Sequence, residues 1–251
     1  LRARCPHCRT LTAVAFDDGY ECHSCGTPFA AGLVRVPGAW GAGGEAMADA
    51  ASLDLRYPDA LVVDEDTLDA QSQVIARGLP ARPLVLGGCC CAHVGAIRGL
   101  AARHDRLAVV WLDAHGDLNT PESSPSGNPW GMPLRMAIDE GSVRPGDVAL
   151  VGARDLDPPE AAYVAEHGID DDVSRALDAT DAVYVALDVD VLEPGAVPCF
   201  MPVPGGLAAD EVVSILATIA QRSRVAGLGL TGLVPGADPG QLARFPAAAG
   251  L

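Results

Sequence analysis

The stretch that decides the fold reads VVWLDAHGD and runs from Val109 to Asp117. Its first four residues are apolar, which indicates a strand buried on both faces, as in a parallel sheet. Asp113, His115 and Asp117 follow at alternate positions, and alternate side chains of an extended chain point to the same side. Open α/β sheets bind their ligands just beyond the carboxyl ends of such strands. The stretch therefore predicts a metal-binding type of site at the end of a central strand.

Apolar runs alternate with helical patterns along the rest of the chain, and this alternation predicts a parallel α/β sheet. The other predicted strands are Leu33–Val36, Leu61–Val63, Pro83–Leu86, Val148–Val151, Ala182–Leu187 and Val225–Leu230. Helices are predicted over Thr67–Arg77, from Asp157 to Gly168 and over Ala208–Gln221. Another is predicted to follow the GGCCCAHVG segment (87–95) and to end at Arg103. A turn-rich loop over residues 118–133 follows the central strand, and loops of that length are more often functional than decorative.

The composition fits one large α/β domain with a small appendage, since 49% of the 251 residues are hydrophobic. The formal charge of −16 disfavours a nucleic-acid partner and suits a protein that holds cations. No apolar run reaches the roughly 18–20 residues that span a bilayer, and the first residues lack an apolar signal core. We therefore expect a cytoplasmic protein that acts on a small molecule and has no membrane partner.

Two Cys-x-x-Cys knuckles, separated by a hairpin-length segment, predict a zinc ribbon over residues 1–32, ahead of the main domain over 33–251. The cysteines are Cys5, Cys8, Cys22 and Cys25. A module this small cannot build a sizeable core, so a structural Zn²⁺ held by all four thiolates would stabilise it. Such an ion has no open coordination position, and we assign it no catalysis. The alternative is four free or redox-active cysteines.

A second acidic pair, Asp188 and Asp190, follows another buried strand. A lone Asp-x-Asp after a strand is more often a solvated loop or a helix cap, but here it shares one sheet with Asp113, His115 and Asp117. Four carboxylates packed together would repel strongly without a cation. We therefore expect two divalent ions and a bridging water acidic enough to attack at neutral pH. Oxygen-rich sites with one imidazole favour Mn²⁺ over softer metals.

The motifs DAHGDLNTP (113–121), SGNPWGMP (126–133), GARDLDP (152–158) and DVD (188–190) resemble those of the arginase/agmatinase family, the ureohydrolases. The resemblance extends over residues 33–235. It implies a three-layer αβα sandwich with a mostly parallel sheet, a dinuclear Mn²⁺ centre and hydrolysis of a guanidino carbon–nitrogen bond. By analogy with the family, it also implies a homo-oligomer.

Residue by residue, the resemblance implies that Asp113 and Asp188 bridge the two ions. His115 and Asp190 would complete one metal site and Asp117 the other. We assign catalytic roles to Asp117 and His115, with Asp117 moving the proton. The residues that match positions holding the α-amino acid end of the substrate in arginases are Asn119, Ser126, Asn128 and Asp157.

Three positions depart from the family pattern. Cys90 stands where the family has a histidine ligand, and a thiolate is softer and anionic, so Zn²⁺ or Fe²⁺ could take the place of Mn²⁺. His93, one helical turn later, is a candidate substitute ligand, although a packed histidine is the simpler interpretation. Trp130 replaces a histidine thought to shuttle protons. Gly232 replaces the glutamate that receives the guanidinium, which removes the natural partner of a full positive charge.

These departures leave the substrate open. A cysteine at the ligand position and the run DVLEPG (190–195) are also similar to Nω-hydroxyarginine hydrolases, which favours a modified, less basic guanidine. We predict a metal-dependent hydrolase that cleaves the carbon–nitrogen bond of a guanidino or hydroxyguanidino compound, a linear amidine, by a metal-bound hydroxide. One alternative is a catalytically silent arginase-fold protein that binds a ligand or partner. Another is an enzyme with Cys90 as nucleophile and His93 as base.

Overall fold

A computed structural model describes residues 2–3, 5, 8, 10–16, 19–29 and 31–251, and it begins with a small antiparallel sheet. The strands of this sheet are β1 (Arg2–Ala3), β2 (Ala13–Phe16), β3 (Gly19–Cys22) and β4 (Pro28–Phe29). β2 and β3 pair as the predicted hairpin, with Phe16 opposite Gly19. Asp17 and Asp18, between these two strands in the sequence, lie outside the described residues.

In the part of the chain that the structure describes, seven parallel strands form the main sheet in the order β6-β5-β7-β11-β10-β8-β9. They are β5 (Ala31–Val36), β6 (Asp59–Val62), β7 (Arg82–Gly87), β8 (Leu107–Leu112), β9 (Val148–Val151), β10 (Ala182–Asp188) and β11 (Val225–Thr231). The predicted parallel sheet is confirmed. The strand predicted at Leu61–Val63 begins two residues earlier and ends at Val62.

Helices connect these strands. They are α1 (Leu68–Gly78), α2 (Ala92–Ala101), α3 (Pro133–Asp139), α4 (Pro158–His167), α5 (Val173–Leu177), α6 (Ala209–Arg222), α7 (Pro239–Leu242) and α8 (Arg244–Ala248). Thr67 caps α1 by accepting the N–H of Ala70 at 3.2 Å. Gly168 ends α4 in the left-handed conformation at φ 62°, as predicted from its position after the helix.

Two hydrophobic cores on opposite faces of the sheet make the molecule three layers deep. Alternate residues of each strand face opposite cores, so Val110 and Val185 pack with α5, α6 and α8, whereas Val109 and Tyr184 pack with α1, α2 and α3. Because both faces are covered, the strands read as unbroken apolar runs. The predicted αβα sandwich is confirmed.

The pairing of β8 with β10 places the two acidic motifs side by side. Leu112 lies opposite Leu187, so Asp113 and Asp188 are the next residues on neighbouring strands. Thr231 pairs with Asp188 on the other side, at the end of β11. Among the described residues, no helix is both long and apolar enough to cross a membrane.

Candidate metal centre

The central strand ends one residue before the first ligand, because β8 stops at Leu112. Beyond it, Asp113 Oδ1 accepts the backbone N–H of His115 at 2.7 Å, which fixes the turn. Asp117 has the left-handed backbone conformation at φ 52°, which is uncommon for a residue with a side chain and costs about 1–3 kcal/mol. All three side chains line one cavity, as predicted. A strained turn, rather than continued strand geometry, brings Asp117 there.

The second acidic pair is locked to the first by backbone hydrogen bonds. Asp188 is the last residue of β10, and its Oδ1 accepts the N–H of Asp190 at 3.0 Å. Asp190 Oδ1 accepts the N–H of Ala114 at 3.0 Å, so the loops after β8 and β10 hold each other in place. Asp113 and Asp188 are nearly completely buried.

Two groups of ligand atoms share Asp113. One is Cys90, Asp113 and Asp188, and the other is Asp113, His115 and Asp190, with the ligand atoms of each group within 4.8 Å of one another. Cys90 Sγ lies 2.8 Å from Asp188 Oδ2 and 3.7 Å from Asp113 Oδ2. His115 Nδ1 lies 3.0 Å from Asp190 Oδ2. The structure thus brings together five of the residues that the sequence suggested as ligands.

Asp117 lies at the same cavity but outside both groups. Its Oδ2 atom is buried without a hydrogen-bond partner among the described residues, and so is Nε2 of His115. Buried polar atoms are normally satisfied, so such orphans indicate a ligand or ion that the protein chain alone does not supply.

The acidic groups cannot readily be ionised together without a cation. Burial and the charge of Asp113 raise the pKa of Asp117 well above its usual range. Burial, with a neighbouring carboxylate in each case, raises the pKa of Asp188 to about 7 and that of Asp190 to about 6. Burial lowers the pKa of His115, but Asp113 and Asp190 outweigh it and raise the pKa to about 12.

This donor set fits divalent cations. Positive charge placed among the carboxylates would relieve the repulsion that raises their pKa values. Carboxylate oxygens with one imidazole suit Mn²⁺, and the Cys90 sulfur adds one soft ligand that suits Zn²⁺ or Fe²⁺. Burial and the charge of Asp188 raise the pKa of the Cys90 thiol, so a cation would also be needed to hold it as a thiolate.

The cavity above these ligands is small, with a volume of about 30 Å³. Its other walls are Met47, Cys89, Trp130, Phe200, Met201 and Gly232. Trp130 packs edge-on against Phe200, with ring centroids 6.0 Å apart. Apart from the candidate ligands, the described residues place no acidic side chain on this cavity.

The surroundings of Gly232 leave no room for a side chain. Its φ of 73° is unfavourable for other residues, and a Cβ atom there would lie 2.0 Å from Asp188 Oδ1. The backbone at this position therefore lies directly against a candidate metal ligand. A carboxylate could not be restored here without displacing Asp188.

A second cavity of about 220 Å³ adjoins the first and shares His115, Asp117, Trp130 and Met201 with it. Three of the four predicted substrate-binding residues, Asn119, Ser126 and Asp157, line this second cavity. Asn119 Nδ2 donates to Asp157 Oδ2 at 2.8 Å.

Asn128, the fourth predicted substrate-binding residue, does not line either of these cavities. Its Oδ1 accepts the backbone N–H of Ala42 at 2.8 Å, across 86 positions of sequence. This hydrogen bond joins the glycine-rich loop after β5 (residues 37–44) to the loop after β8, and the substrate-binding role of Asn128 stays a prediction.

His93 is packed as a core histidine. Its Nδ1 lies 2.9 Å from the hydroxyl of Tyr184, and its Nε2 lies 3.1 Å from Oγ1 of Thr231. Both ring nitrogens are therefore engaged by protein groups, and this geometry speaks against the candidate role of His93 as a substitute ligand. Among the described residues, no side-chain hydrogen bond joins the His93 ring to the Cys90 thiol, as the alternative with His93 as base would require.

Sequence reasoning missed several supporting residues. Trp111 Nε1 donates to Asp113 Oδ2 at 3.1 Å, and Thr231 Oγ1 lies 3.2 Å from Asp188 Oδ2. Arg154 donates to the backbone carbonyl of Asp190 at 2.8 Å. Glu160 accepts from the N–H of Leu118 at 2.9 Å. The sequence pattern could have indicated two of these residues, because Trp111 and Thr231 carry polar groups at or next to the ends of buried strands.

The four N-terminal cysteines converge as the sequence predicted. Their sulfur atoms all lie within 4.8 Å of one another, with Cys5 3.7 Å from Cys25 and Cys8 3.5 Å from Cys22. A tetrahedral Zn²⁺ with Zn–S bonds of roughly 2.3 Å holds its sulfurs at about this separation. A hydrogen bond from Thr12 lowers the pKa of Cys22 to about 5, which favours the thiolate.

Comparison with known proteins identifies the family of this chain. The family model described as the arginase family matches residues 42–249. The chain belongs to the arginase family. The resemblance read from the sequence motifs is therefore confirmed.

Individual arginase-family relatives agree with this assignment. An arginase from Bacillus caldovelox is 35% identical over an alignment of 178 residues, with coverage of 59% of this chain and 59% of that protein. The chain thus matches less than two thirds of the length of this curated relative. The crystal structure of arginase from Bacillus subtilis is similar with a TM-score of 0.73 at 25% identity, covering 87% of this chain and 95% of that one.

The fold is also similar to that of a protein with a different name. The structure of formimidoylglutamase from Bacillus subtilis matches with a TM-score of 0.69 and 22% identity, over 87% of this chain and 85% of that one. At this level of identity the likeness shows the shared fold alone, and the substrate must be argued from the site.

Proposed function

We propose that this arginase-family chain is a metal-dependent hydrolase that cleaves a carbon–nitrogen bond of a guanidino or hydroxyguanidino compound. One observation carries the proposal: two groups of ligand atoms share Asp113 at the carboxyl end of the central strand. A shared carboxylate between two ligand groups is the arrangement that holds a pair of cations a few ångströms apart.

The ligand assignment follows the two groups. Cys90, Asp113 and Asp188, with Asp117 beside them, would hold one ion, and Asp113, His115 and Asp190 would hold the other. Mn²⁺ fits the oxygen donors best, with Zn²⁺ or Fe²⁺ as alternatives favoured by the sulfur. When bound, the ions would polarise the amidine carbon and lower the pKa of water toward neutrality.

The protein groups would supply positioning and proton transfer. Asp117 Oδ2 is buried and free of other partners within the described structure, so it is placed to hold a proton taken from water or destined for the leaving amine. Trp130 and Phe200 roof the cavity and limit the access of bulk water. Asn119, Ser126 and Asp157 would bind the polar end of the substrate in the adjoining cavity.

The walls of the small cavity favour a weakly basic substrate group. A guanidinium carries a full positive charge and needs a carboxylate partner when buried. Position 232 supplies none, and the ligand carboxylates would already be engaged by cations. A hydroxyguanidino group is easier to bury in its neutral form, so we propose it as the preferred substrate class.

A substrate panel tests both levels of the proposal. The protein is loaded in turn with Mn²⁺, Zn²⁺ and Fe²⁺, its metal content is measured, and release of urea, hydroxyurea and amine is followed for guanidines and their N-hydroxy derivatives. The expected result is faster turnover of a hydroxyguanidine than of its parent guanidine. Preference for the parent guanidine would overturn the substrate class alone. Absence of turnover in fully metallated protein would overturn the hydrolase.

We also propose that Cys5, Cys8, Cys22 and Cys25 hold a structural Zn²⁺ in a separate ribbon domain over residues 1–32. The convergence of the four sulfurs and the small size of that sheet support the assignment. Elemental analysis of the wild type and a Cys22→Ser variant checks it. Homo-oligomerisation stays a prediction, which light scattering of the purified chain checks.

A further inference from the structure

A chain of buried polar groups runs from the core to the back of the metal centre. The Tyr184 hydroxyl lies 2.9 Å from Nδ1 of His93, whose Nε2 lies 3.1 Å from Thr231 Oγ1. Thr231 Oγ1 lies 3.2 Å from Asp188 Oδ2 and 3.3 Å from Cys90 Sγ. Tyr184, His93 and Thr231 are all completely buried. We call these three residues the relay.

Hydrogen-bond valence fixes the direction of the relay. A carboxylate oxygen accepts hydrogen bonds, so the single hydroxyl proton of Thr231 points toward Asp188 Oδ2. Thr231 Oγ1 is then the acceptor for His93, which requires the proton of the imidazole on Nε2. His93 Nδ1 is left as an acceptor for the Tyr184 hydroxyl. Every donor in the relay therefore points toward the metal ligands.

The surroundings keep His93 neutral, as this direction requires. Burial lowers the pKa of His93 to about 3. The ring also meets Trp111 edge-on at 5.1 Å between centroids, and Trp111 Nε1 donates to Asp113 Oδ2. His93 thus contacts Trp111 and Thr231, the residues that donate hydrogen bonds to the candidate ligands Asp113 and Asp188.

A glycine makes room for the relay. A Cβ atom at Gly229 would lie 2.4 Å from the Tyr184 hydroxyl and 2.5 Å from Cε1 of His93. Any side chain there would displace the two residues that begin the relay. The hydrogen bond between Tyr184 and His93 therefore requires a glycine at this position of β11.

The charge of the candidate ligands explains why donors are needed here. With two divalent ions bound and every acidic ligand ionised, Asp113, Asp117, Asp188, Asp190 and a Cys90 thiolate would carry five negative charges against four positive charges. The excess arises because Cys90 is anionic where a histidine would be neutral. Hydrogen bonds to buried anions stabilise the charged form, and outer groups of this kind orient metal ligands.

We propose that Thr231, oriented by His93 and Tyr184, is a positioning residue that fixes the ligand atoms of Cys90 and Asp188 in their metal-binding geometry. The inference rests on the metal centre of the proposed function. It concerns ligand affinity and geometry, and it assigns none of the three residues contact with the substrate.

Cobalt binding tests the relay. Full-length protein with its N-terminal cysteines saturated by Zn²⁺ is titrated with Co²⁺, and the Cys90 thiolate-to-cobalt band is isolated by subtracting the spectrum of a Cys90→Ser variant. Thr231→Val, which keeps the shape and removes the hydroxyl, is expected to weaken Co²⁺ binding roughly 10–100-fold. It should also move the band to longer wavelength, because a thiolate without its hydrogen bond is easier to oxidise.

Three further variants make the test specific. Thr231→Ser retains the hydroxyl and is expected to restore affinity and band position. Tyr184→Phe should weaken binding less than Thr231→Val, since it acts two hydrogen bonds away. Tyr163→Phe removes a half-buried hydroxyl on α4, outside the relay, and should bind as the wild type does.

The outcomes separate this inference from the proposed function. Wild-type affinity and an unmoved band in Thr231→Val would overturn the inference while leaving the metal centre intact. Equal loss in Thr231→Ser and Thr231→Val would also overturn it, because the effect would then be one of packing. A wild type that binds no Co²⁺ beyond the ribbon would overturn the metal centre and the inference together.

Discussion

At the scale of single residues, the candidate centre depends on positions where the backbone itself approaches a ligand. Asp117 reaches the cavity only through a left-handed backbone conformation, and Gly232 lies against Asp188. Strain of this kind is tolerated where surrounding contacts over-determine the conformation, and it concentrates at functional sites. Both positions are therefore expected to be sensitive to small substitutions.

A single methyl group at Gly232 is expected to damage the centre. Gly232→Ala places a Cβ atom 2.0 Å from Asp188 Oδ1 at a positive φ. We expect a loss of about 1–3 kcal/mol in the free energy of unfolding, together with weaker metal binding. Gly236→Ala is the matched control, because Gly236 also has a positive φ of 100° but its Cβ would meet only Pro198 at 4.0 Å. Urea unfolding and metal titration compare the two, and equal metal affinity would contradict the prediction.

Asp113 is expected to matter more for metal binding than any other carboxylate, because it belongs to both ligand groups. Asp113→Asn keeps the shape and removes the charge. Metal affinity should fall by more than the roughly 10–100-fold that loss of an outer hydrogen-bond partner costs. Asp155→Asn, at the rim of the adjoining cavity, serves as control. Elemental analysis after dialysis decides, and two ions retained in Asp113→Asn would refute the shared role.

At the scale of elements, loops far apart in sequence are joined over the centre. The glycine-rich loop after β5 meets the loop after β8 through Asn128, and Gly41 has room for no side chain because Trp130 lies against it. Arg154 similarly holds the loop after β10 by donating to the carbonyl of Asp190. These contacts place Trp130 as the roof of the cavity.

Asn128 is expected to act on loop order rather than on substrate charge. Among the hydrogen bonds that the structure describes, Oδ1 is the side-chain atom of Asn128 that takes part, so Asn128→Asp should keep the hydrogen bond to Ala42, whereas Asn128→Leu should lose it. Hydrogen exchange measures the outcome at the backbone amide of Ala42 and its neighbours. We expect faster exchange in Asn128→Leu by a factor on the order of 10, corresponding to a hydrogen bond worth about 1–1.5 kcal/mol. Unchanged exchange in Asn128→Leu would show that other contacts hold the loop.

At the scale of the whole molecule, the buried side chain of His93 should make the free energy of unfolding depend on pH. The pKa of His93 is lowered to about 3 in the folded chain, against about 6.5 when unfolded. A lowered pKa means that the unfolded chain binds the proton more tightly. The stabilising contribution is therefore complete above about pH 6.5 and is lost as the pH falls toward 3.

The lowered pKa of His93 predicts that the wild type and a variant without this imidazole differ in how their unfolding free energy depends on pH. Between pH 7 and pH 4.5, metal-free wild type should lose roughly 2–3 kcal/mol more unfolding free energy than His93→Gln, because only the wild type has this imidazole to protonate. Comparing the two proteins cancels the titration of the carboxylates that they share. His167→Gln, on the exposed end of α4, should follow the wild type. Parallel pH profiles for wild type and His93→Gln would contradict the prediction.

The sequence by itself determined the parallel sheet, the ends of its central strands and the candidate ligands Asp113, His115, Asp188 and Asp190. These follow from local rules, since apolar runs covered on both faces and polar residues at strand ends are visible in the order of residues. Cys90 also entered the candidate ligands through its motif, and the structure places its sulfur against Asp188.

Only the tertiary structure decided what surrounds those ligands. Strand order brought Thr231 beside Asp188 and set His93 against Tyr184, although 91 positions separate the last two. It also placed the side chain of Asn128 against the backbone of Ala42, whereas the motif resemblance suggested a contact with the substrate. Such contacts depend on which strands and loops become neighbours in the packed molecule, and no local periodicity records that choice. The VVWLDAHGD stretch therefore specifies a metal-binding type of site, and the packing behind and above it governs how the ligands are held.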